Sequence, residues 1–511
     1  MTGAGRGVFE ARETDLAGRT GRIETNHGAV ETPAYVPVVH PVRQSVPARE
    51  LREMGFGMVI TNAYITWKRA REEASRRGIH DLIGFDGAVM TDSGGYQVLE
   101  YGDVDVGPDE MAAFEAKIGS DIAVPLDRPT GLGITRAEAA RRVRYTLRIS
   151  REALAGAAGG QIWAGPVQGG RYTDLVTKSA RGLSRAGFAM MALGSPVEYM
   201  ESYDYLSLAR MIAAARSSIP WSAPLHLFGA GHPLTIPMAV ALGCDTFDSA
   251  SYMLYARNGR YIARDGTRQI GEMSAFPCSC RVCSSHRPAE LARLPETERT
   301  AGLAVHNLHA IREEVDATSQ AIREGRLWEH VMSRARAHPR LYEAARVLAE
   351  NPALLAEGTP LFKRRAAFLY DAIDQYRPEV RRYHAMARRF RSRARRMVVI
   401  REDRQKPGYA SGAYARARAA FGGCQVCQYS PHLGLIPIEL SDVYPAAHHE
   451  SADVPYDPAA FPEFGATWDE FVRRNRITEI IYDRTDAFLE HFASRTRGIR
   501  RRDISKKGKT G

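Results

Sequence analysis

The sequence predicts an α/β protein whose first half is a TIM-type (β/α)₈ barrel. Three observations carry that expectation. Short apolar runs alternate with helix-forming stretches throughout the first 260 residues. The runs are apolar on both faces, as buried parallel strands are. Eight of them fit within about 250 residues, which suits a closed barrel. A doubly wound open sheet is the competing arrangement, but no Gly-rich dinucleotide turn follows a first strand.

The predicted strands run in order. The first four are "YVPVV" (35–39), "GMVIT" (57–61), "AVMTD" (88–92) and "DIAVPLD" (121–127). The second four are "QIWAGPVQ" (161–168), "GFAMMALG" (187–194), "PLHLFGAG" (224–231) and "CDTFDSA" (244–250). The intervening "ITRAEAARRVRYTLRISREALAGA" has helical apolar spacing and no internal proline. Working residues of such barrels sit at the C-terminal strand ends. Those ends here are Asp92, Asp127, Gln168, Gly194 with Ser195, Gly231 and Asp248. One Asp there could simply cap a helix. Several at one rim need a job, because a buried carboxylate is costly unless paired or hydrogen-bonded. Carboxylate and carboxamide edges can read the donors and acceptors of a purine-like base, and aromatic faces can stack on it. Tyr96 follows the glycine pair of "TDSGGYQV", and Phe228 ends a later strand, so the two could sandwich such a base. Asp245 is read as structural, a partner for a basic residue.

At 511 residues the chain should form two to four domains, and 44% hydrophobic content suits a packed core. No apolar stretch approaches the roughly 20 residues that span a bilayer. The opening "MTGAGRGVFEARETD" lacks the layout of a secretion signal. Six cysteines in this length make no disulfide scaffold, and a cytoplasmic location is expected. Cys278, Cys280 and Cys283 form C-x-C-x₂-C ahead of "LAVHNLHAI". Three thiolates and one imidazole suit a structural tetrahedral Zn²⁺ with no open position. His306, His309 and His286 are the candidate fourth ligands.

The motifs "TDSGGYQV", "VQGG" (167–170), "HLFGAGHP" (226–233), "GCDTFDSA" (243–250) and "CSCRVC" resemble the tRNA-guanine transglycosylases. "LGSPVEYM" (193–200) and "DSASYMLYARNGRY" (248–261) are similar to the archaeal branch, which inserts 7-cyano-7-deazaguanine at position 15 of the tRNA D-arm. The resemblance covers residues 8–310 in order and extends loosely to about 390. It implies that Asp248 attacks C1′ of the target guanosine as nucleophile and that Asp92 handles protons. It implies that Asp127 and Gln168 read the base edge with help from Gly194 and Ser195, that Tyr96 and Phe228 stack on the base, and that His306 is the fourth zinc ligand. It also implies a homodimer. Other readings are a queuine-type enzyme acting at the anticodon wobble base, a DNA base-exchange relative, and a non-catalytic zinc-bearing RNA-binding subunit. "GSPVEYM" in place of a Gly-Gly-Leu run disfavours the first, and the presence of both aspartates disfavours the last.

The expected domains are a catalytic barrel (1–270), a zinc-binding subdomain (271–315), a helical basic region (316–405) and a small α/β domain (406–511). The net charge of +11 is uneven: residues 381–404 hold ten arginines against two acids. Arginine forks match phosphate geometry, so a polyanion is the expected partner. Arg257, Arg260, Arg393, Arg395 and Arg396 are the candidate RNA contacts. Cys424 and Cys427, with His448 and His449 nearby, could form a second zinc site or be buried thiols. The PUA-type RNA-binding pattern common in archaeal relatives is not recognisable before the closing "SKKGKTG", so a separate PUA-containing protein is the expected supplier.

Overall fold

A computed structural model describes residues 8–95, 106–156 and 160–505. The chain divides into two compact units, one of residues 1–323 with 327–358, the other of 324–326 with 359–511.

All eight predicted strands form in the first unit. They are β1 (Ala34–Pro37), β2 (Met58–Asn62), β3 (Ala88–Asp92), β4 (Ile122–Ala123), β5 (Ile162–Val167), β6 (Met190–Leu193), β7 (Leu225–Leu227) and β8 (Thr246–Ser249). From β2 to β8 each strand pairs in parallel with its sequence neighbour, and β8 pairs with β1. A parallel bridge between Val38 and Ile60 closes the ring. β4 is shortest because Pro125 and Pro129 follow it, and proline has no N–H for a strand ladder.

Side chains on a strand alternate between faces, and this period of two fills the barrel and builds its rim. Met58 and Ile60, Ala88 and Met90, Ile162 and Ala164, and Met190 and Ala192 form one buried cluster. Continuing each series by two residues reaches Asn62, Asp92, Pro166 then Gln168, and Gly194. His226 pairs in register with Ala192, which sets His226 and Phe228 on the same inward face. An antiparallel sheet of Phe9–Asp15, Gly18–Thr25 and Gly28–Thr32 puts Phe9, Ile23 and Val30 into the same cluster and plugs the opposite end of the barrel. Asp245 is the partner of buried Arg19: the guanidinium donates to both carboxylate oxygens at 2.7 and 2.9 Å. Removing either partner would strand a buried charge, typically a cost of about 3–5 kcal/mol.

After β8 the chain makes a hairpin (Arg260–Ala263 with Gly266–Gln269) and a 29-residue helix, Glu296–Glu324, that carries His306. Helices Leu327–Ala335, Pro339–Glu350 and Pro352–Gly358 complete this unit. No helix among the described residues is long and apolar enough to cross a membrane.

The second unit holds a five-stranded sheet. Its strands are β9 (Arg396–Arg401), β10 (Gln425–Ser430), β11 (Gly434–Pro437), β12 (Glu479–Tyr482) and β13 (Arg500–Asp503), in the order β11-β10-β9-β12-β13. Only the β10–β11 pair is antiparallel. Within the helical basic region read at 316–405, the helix Pro378–Arg389 ends and the chain enters β9 at Arg396. The run "MVVI" is the reason: branched residues suit a strand buried on both faces. Met397 and Val399 pack into one core with Trp468 and Phe464, and Val398 packs into another with Phe421. Cys427 belongs to the first core and Cys424 packs against the second, so the sheet separates their sulfurs. His449 instead meets Glu402 at 2.9 Å.

Candidate active site

The barrel mouth gathers Asp92, Asp127, Gln168, Gly194, Ser195, Phe228 and Asp248; Tyr96 lies outside the described residues. Asp92 ends β3, where its carboxylate accepts the Gly94 N–H at 3.3 Å and the Asn62 amide at 3.4 Å. Burial raises its pKa to about 6, and the neighbouring Asp248 charge adds to the rise. A carboxyl near 6 can hold and release a proton close to neutral pH. Asp248, on β8, is 7% exposed. One of its oxygens accepts from the Gly229 N–H at 3.0 Å and meets His226 Nε2 at 3.1 Å. His226 Nδ1 lies 2.9 Å from the Thr246 hydroxyl, which can donate to it and leave the ring proton on Nε2 for Asp248. Gly229 has φ +67° and turns its N–H toward the carboxylate; an added Cβ would stand 2.3 Å from Val197.

Gln168 shows how the rim is ordered. Its Oε1 accepts from the Thr130 N–H (2.9 Å), the Thr130 hydroxyl (2.8 Å) and the Ser195 hydroxyl (2.9 Å). With the oxygen so occupied, Nε2 is the donor and bonds Asp127 at 2.5 Å. Burial raises Asp127 to about 7, the Gln168 bond opposes the rise, and the Asp92 charge adds to it. Gly194 is required by packing, since a Cβ there would sit 2.1 Å from Gln168 Nε2. Phe228 is half-buried and meets His226 edge-on at 4.8 Å. This arrangement can present a carboxylate and an amide edge to a flat base, beside two further carboxylates.

Sequence reasoning missed Asn62, Thr130 and His226. The histidine carried a readable signal, since it stands two residues before Phe228 inside an apolar strand and so shares its face. It also missed Arg43 and Arg69. Both exposed guanidinium groups act with Arg257 on His40, just past β1, lowering its pKa after burial has done so. Arg257 and Arg260 are exposed. Arg260 lines an open groove of about 730 Å³ with Tyr203, Arg268 and Phe276. Arg393, Arg395 and Arg396 are exposed in the second unit, and Arg396 is ion-paired with Glu479 at 2.8 Å.

The donor atoms of Cys278, Cys280, Cys283 and His306 lie within 4.8 Å of one another and could hold a metal ion. His306 Nδ1 is 3.4 Å from Cys283 Sγ and 3.6 Å from Cys280 Sγ. Its Nε2 meets the Ile262 carbonyl at 2.9 Å, and Tyr261 stacks on its ring. By accepting the Nε2–H, this carbonyl fixes the tautomer that leaves Nδ1 free to bind a metal. His286 points elsewhere, its Nδ1 on the Val282 carbonyl.

The family described as queuine tRNA-ribosyltransferase matches residues 15–340. This chain belongs to the tRNA-guanine transglycosylase family. It is 44% identical over 456 residues to the tRNA-guanine(15) transglycosylase of Aeropyrum pernix, covering 86% of each chain. It is 42% identical to the Methanopyrus kandleri protein of the same name, covering 86% of this chain and 94% of that one. The Pyrobaculum aerophilum protein is 40% identical, with 87% and 90% covered. As a transglycosylase the chain is a pentosyltransferase whose substrates are tRNA and a guanine-type base, which is chemistry the rim can serve.

Proposed function

We propose that this transglycosylase replaces guanine at position 15 of the tRNA D-arm by 7-cyano-7-deazaguanine, the exchange of archaeosine biosynthesis. Relatives named for guanine 15 support the position. The observation that carries the chemistry is the meeting of Asp92 and Asp248 at one rim, beside the Asp127–Gln168 pair.

Asp248 attacks C1′ of the target nucleotide and the C1′–N9 bond breaks, leaving an aspartyl–ribose ester. The carboxyl of Asp92 gives its proton to the departing guanine. Asp92 then takes the N9 proton of the incoming base, whose nitrogen displaces Asp248 from C1′. The ester retains the glycosidic bond energy, so no ATP is consumed. Asp127 accepts from the base N1–H and exocyclic amine, Gln168 Nε2 donates to O6, and the Gly194–Ser195 backbone completes the edge. Phe228 and Tyr96 stack on the two faces. Arg43, Arg69, Arg257, Arg260, Arg393, Arg395 and Arg396 contact phosphates. Zn²⁺ on Cys278, Cys280, Cys283 and His306 is structural and staples the Arg260–Gln269 hairpin to the long helix. A cytoplasmic homodimer belongs to the same reading on the family resemblance alone.

The test is the tRNA adduct on a denaturing gel. Wild-type protein should form it, and Asp248→Asn should not; an adduct of equal intensity would overturn the assignment. A transcript with G15 replaced by A should take up no labelled guanine, and undiminished uptake would exclude position 15.

A further inference from the structure

At the barrel end opposite the mouth, three ligand-type side chains converge. Asp121 precedes β4 and is fully buried, His80 lies in the helix Ile79–Ile83, and His27 sits in the turn joining strands Gly18–Thr25 and Gly28–Thr32. Asp121 Oδ1 lies 2.9 Å from His27 Nδ1, and Oδ2 lies 2.9 Å from His80 Nε2. The imidazoles stack at 3.6 Å, so both rings direct one nitrogen to the same carboxylate.

We propose that His27, His80 and Asp121 form a second metal site, binding a labile divalent transition ion of the Zn²⁺ or Co²⁺ class. The carboxylate is built to stay in place: its oxygens also accept the His27 N–H at 3.1 Å and the Val89 N–H at 2.9 Å. Burial works against its ionisation, but the His80, Val89 and His27 hydrogen bonds hold its carboxyl below the usual range. Nitrogen and oxygen ligands at about 2.0–2.1 Å in a tetrahedron stand about 3.3 Å apart. The three donor atoms already lie within 4.8 Å of one another; on binding, each 2.9 Å nitrogen–oxygen contact opens by about 0.4 Å and the proton between each pair is released to solvent. The His27 side chain is 43% exposed and that of His80 14%, which leaves an entry path and room for water ligands. Two imidazoles and one carboxylate, without thiolate, suit a weaker and exchangeable ion than the cysteine cluster does. Its effect is to clamp the N-terminal turn to the base of the barrel. The Val89 contact lies three residues before Asp92, roughly 10 Å along β3 from the catalytic mouth.

The experiment titrates Co²⁺ into the full, tag-free, metal-stripped chain. Two equivalents are expected. One should show thiolate-to-cobalt charge transfer in the near ultraviolet, and one should show only weak visible bands. His27→Ala and His80→Ala should weaken the second by tenfold or more while sparing the first. His27→Ala, at an exposed turn, should keep the wild-type rate of labelled-guanine exchange and remains the test if His80→Ala does not fold. A wild-type protein binding only the thiolate-type equivalent, or a second equivalent unmoved by His27→Ala, would show that the three residues are merely hydrogen-bonded.

Discussion

Replacing Asp127 by Asn should make the protein more stable and the enzyme worse, in a manner that depends on pH. Burial lifts the Asp127 carboxyl from 3.8 to about 7 in the folded chain. At about 1.36 kcal/mol per pH unit, that gap is a penalty of about 4 kcal/mol on the ionised folded state above pH 7. Asparagine carries no charge and can still accept from Gln168, with a weaker bond that gives back about 1 kcal/mol. The expected net gain at pH 8 is about 3 kcal/mol. The sign follows from proton uptake. Between pH 7 and 3.8 the wild-type folded state holds a proton that the unfolded chain releases, so lowering the pH relieves the wild type. At pH 5 the remaining penalty is about 1.6 kcal/mol, and the net gain of the variant falls below about 1 kcal/mol. Thermal melts at the two pH values should show the variant several degrees higher at pH 8, at roughly 2 °C per kcal/mol, and nearly level at pH 5. Guanine binding at pH 8 should weaken at least tenfold, because charge-assisted hydrogen bonds are lost. A variant no more stable than wild type at pH 8, or equally stabilised at both pH values, would refute the origin of the shift.

Other outcomes follow from the same geometry. His226→Ala removes the imidazole beside Asp248 and should lower kcat about 10–100-fold with KM for tRNA unchanged, with His226→Gln recovering part; steady-state kinetics would expose an unaltered kcat. Cys283→Ser should cost one metal equivalent by mass spectrometry and lower the melting temperature, and an unchanged metal content would rule out the cluster as a site. Changing Arg393, Arg395 and Arg396 together to Ala should reduce the salt slope of tRNA binding by about 2, the roughly 0.7–0.9 per phosphate of three contacts less the part of the Arg396 charge that Glu479 already offsets. Equal binding across a salt series would assign the whole run to solvation.

The barrel was legible because burial on both faces leaves strands nearly without polar residues, and all eight runs from "YVPVV" to "CDTFDSA" stood out from the helices between them. Asp92, Asp127, Gln168 and Asp248 were legible for a related reason, as polar residues interrupting apolar runs at one end. Thr130 was not, since its hydroxyl and N–H meet Gln168 from a loop 38 residues away in sequence. His226 was legible through its two-residue offset from Phe228, whereas Asn62 was hidden by its surroundings and looked like an ordinary strand residue until the register set it facing inward. In the second half, the arginine-rich stretch masked β9, whose four apolar residues are flanked by charge on both sides. The partner of Asp245 was unreadable for the opposite reason, as Arg19 lies 226 residues away.

The two-residue rhythm that packs Met58 and Ile60, or Ala88 and Met90, is the same rhythm that aims Asn62 and Asp92. Deleting or inserting one residue within such a strand would therefore do double harm, turning an acid toward the surrounding helices while thrusting its neighbours out of the interior. A loop that lends no group to the rim tolerates a change of length; the staves of the barrel, and the loops that bring Thr130, Ser195 and Gly229 to it, do not.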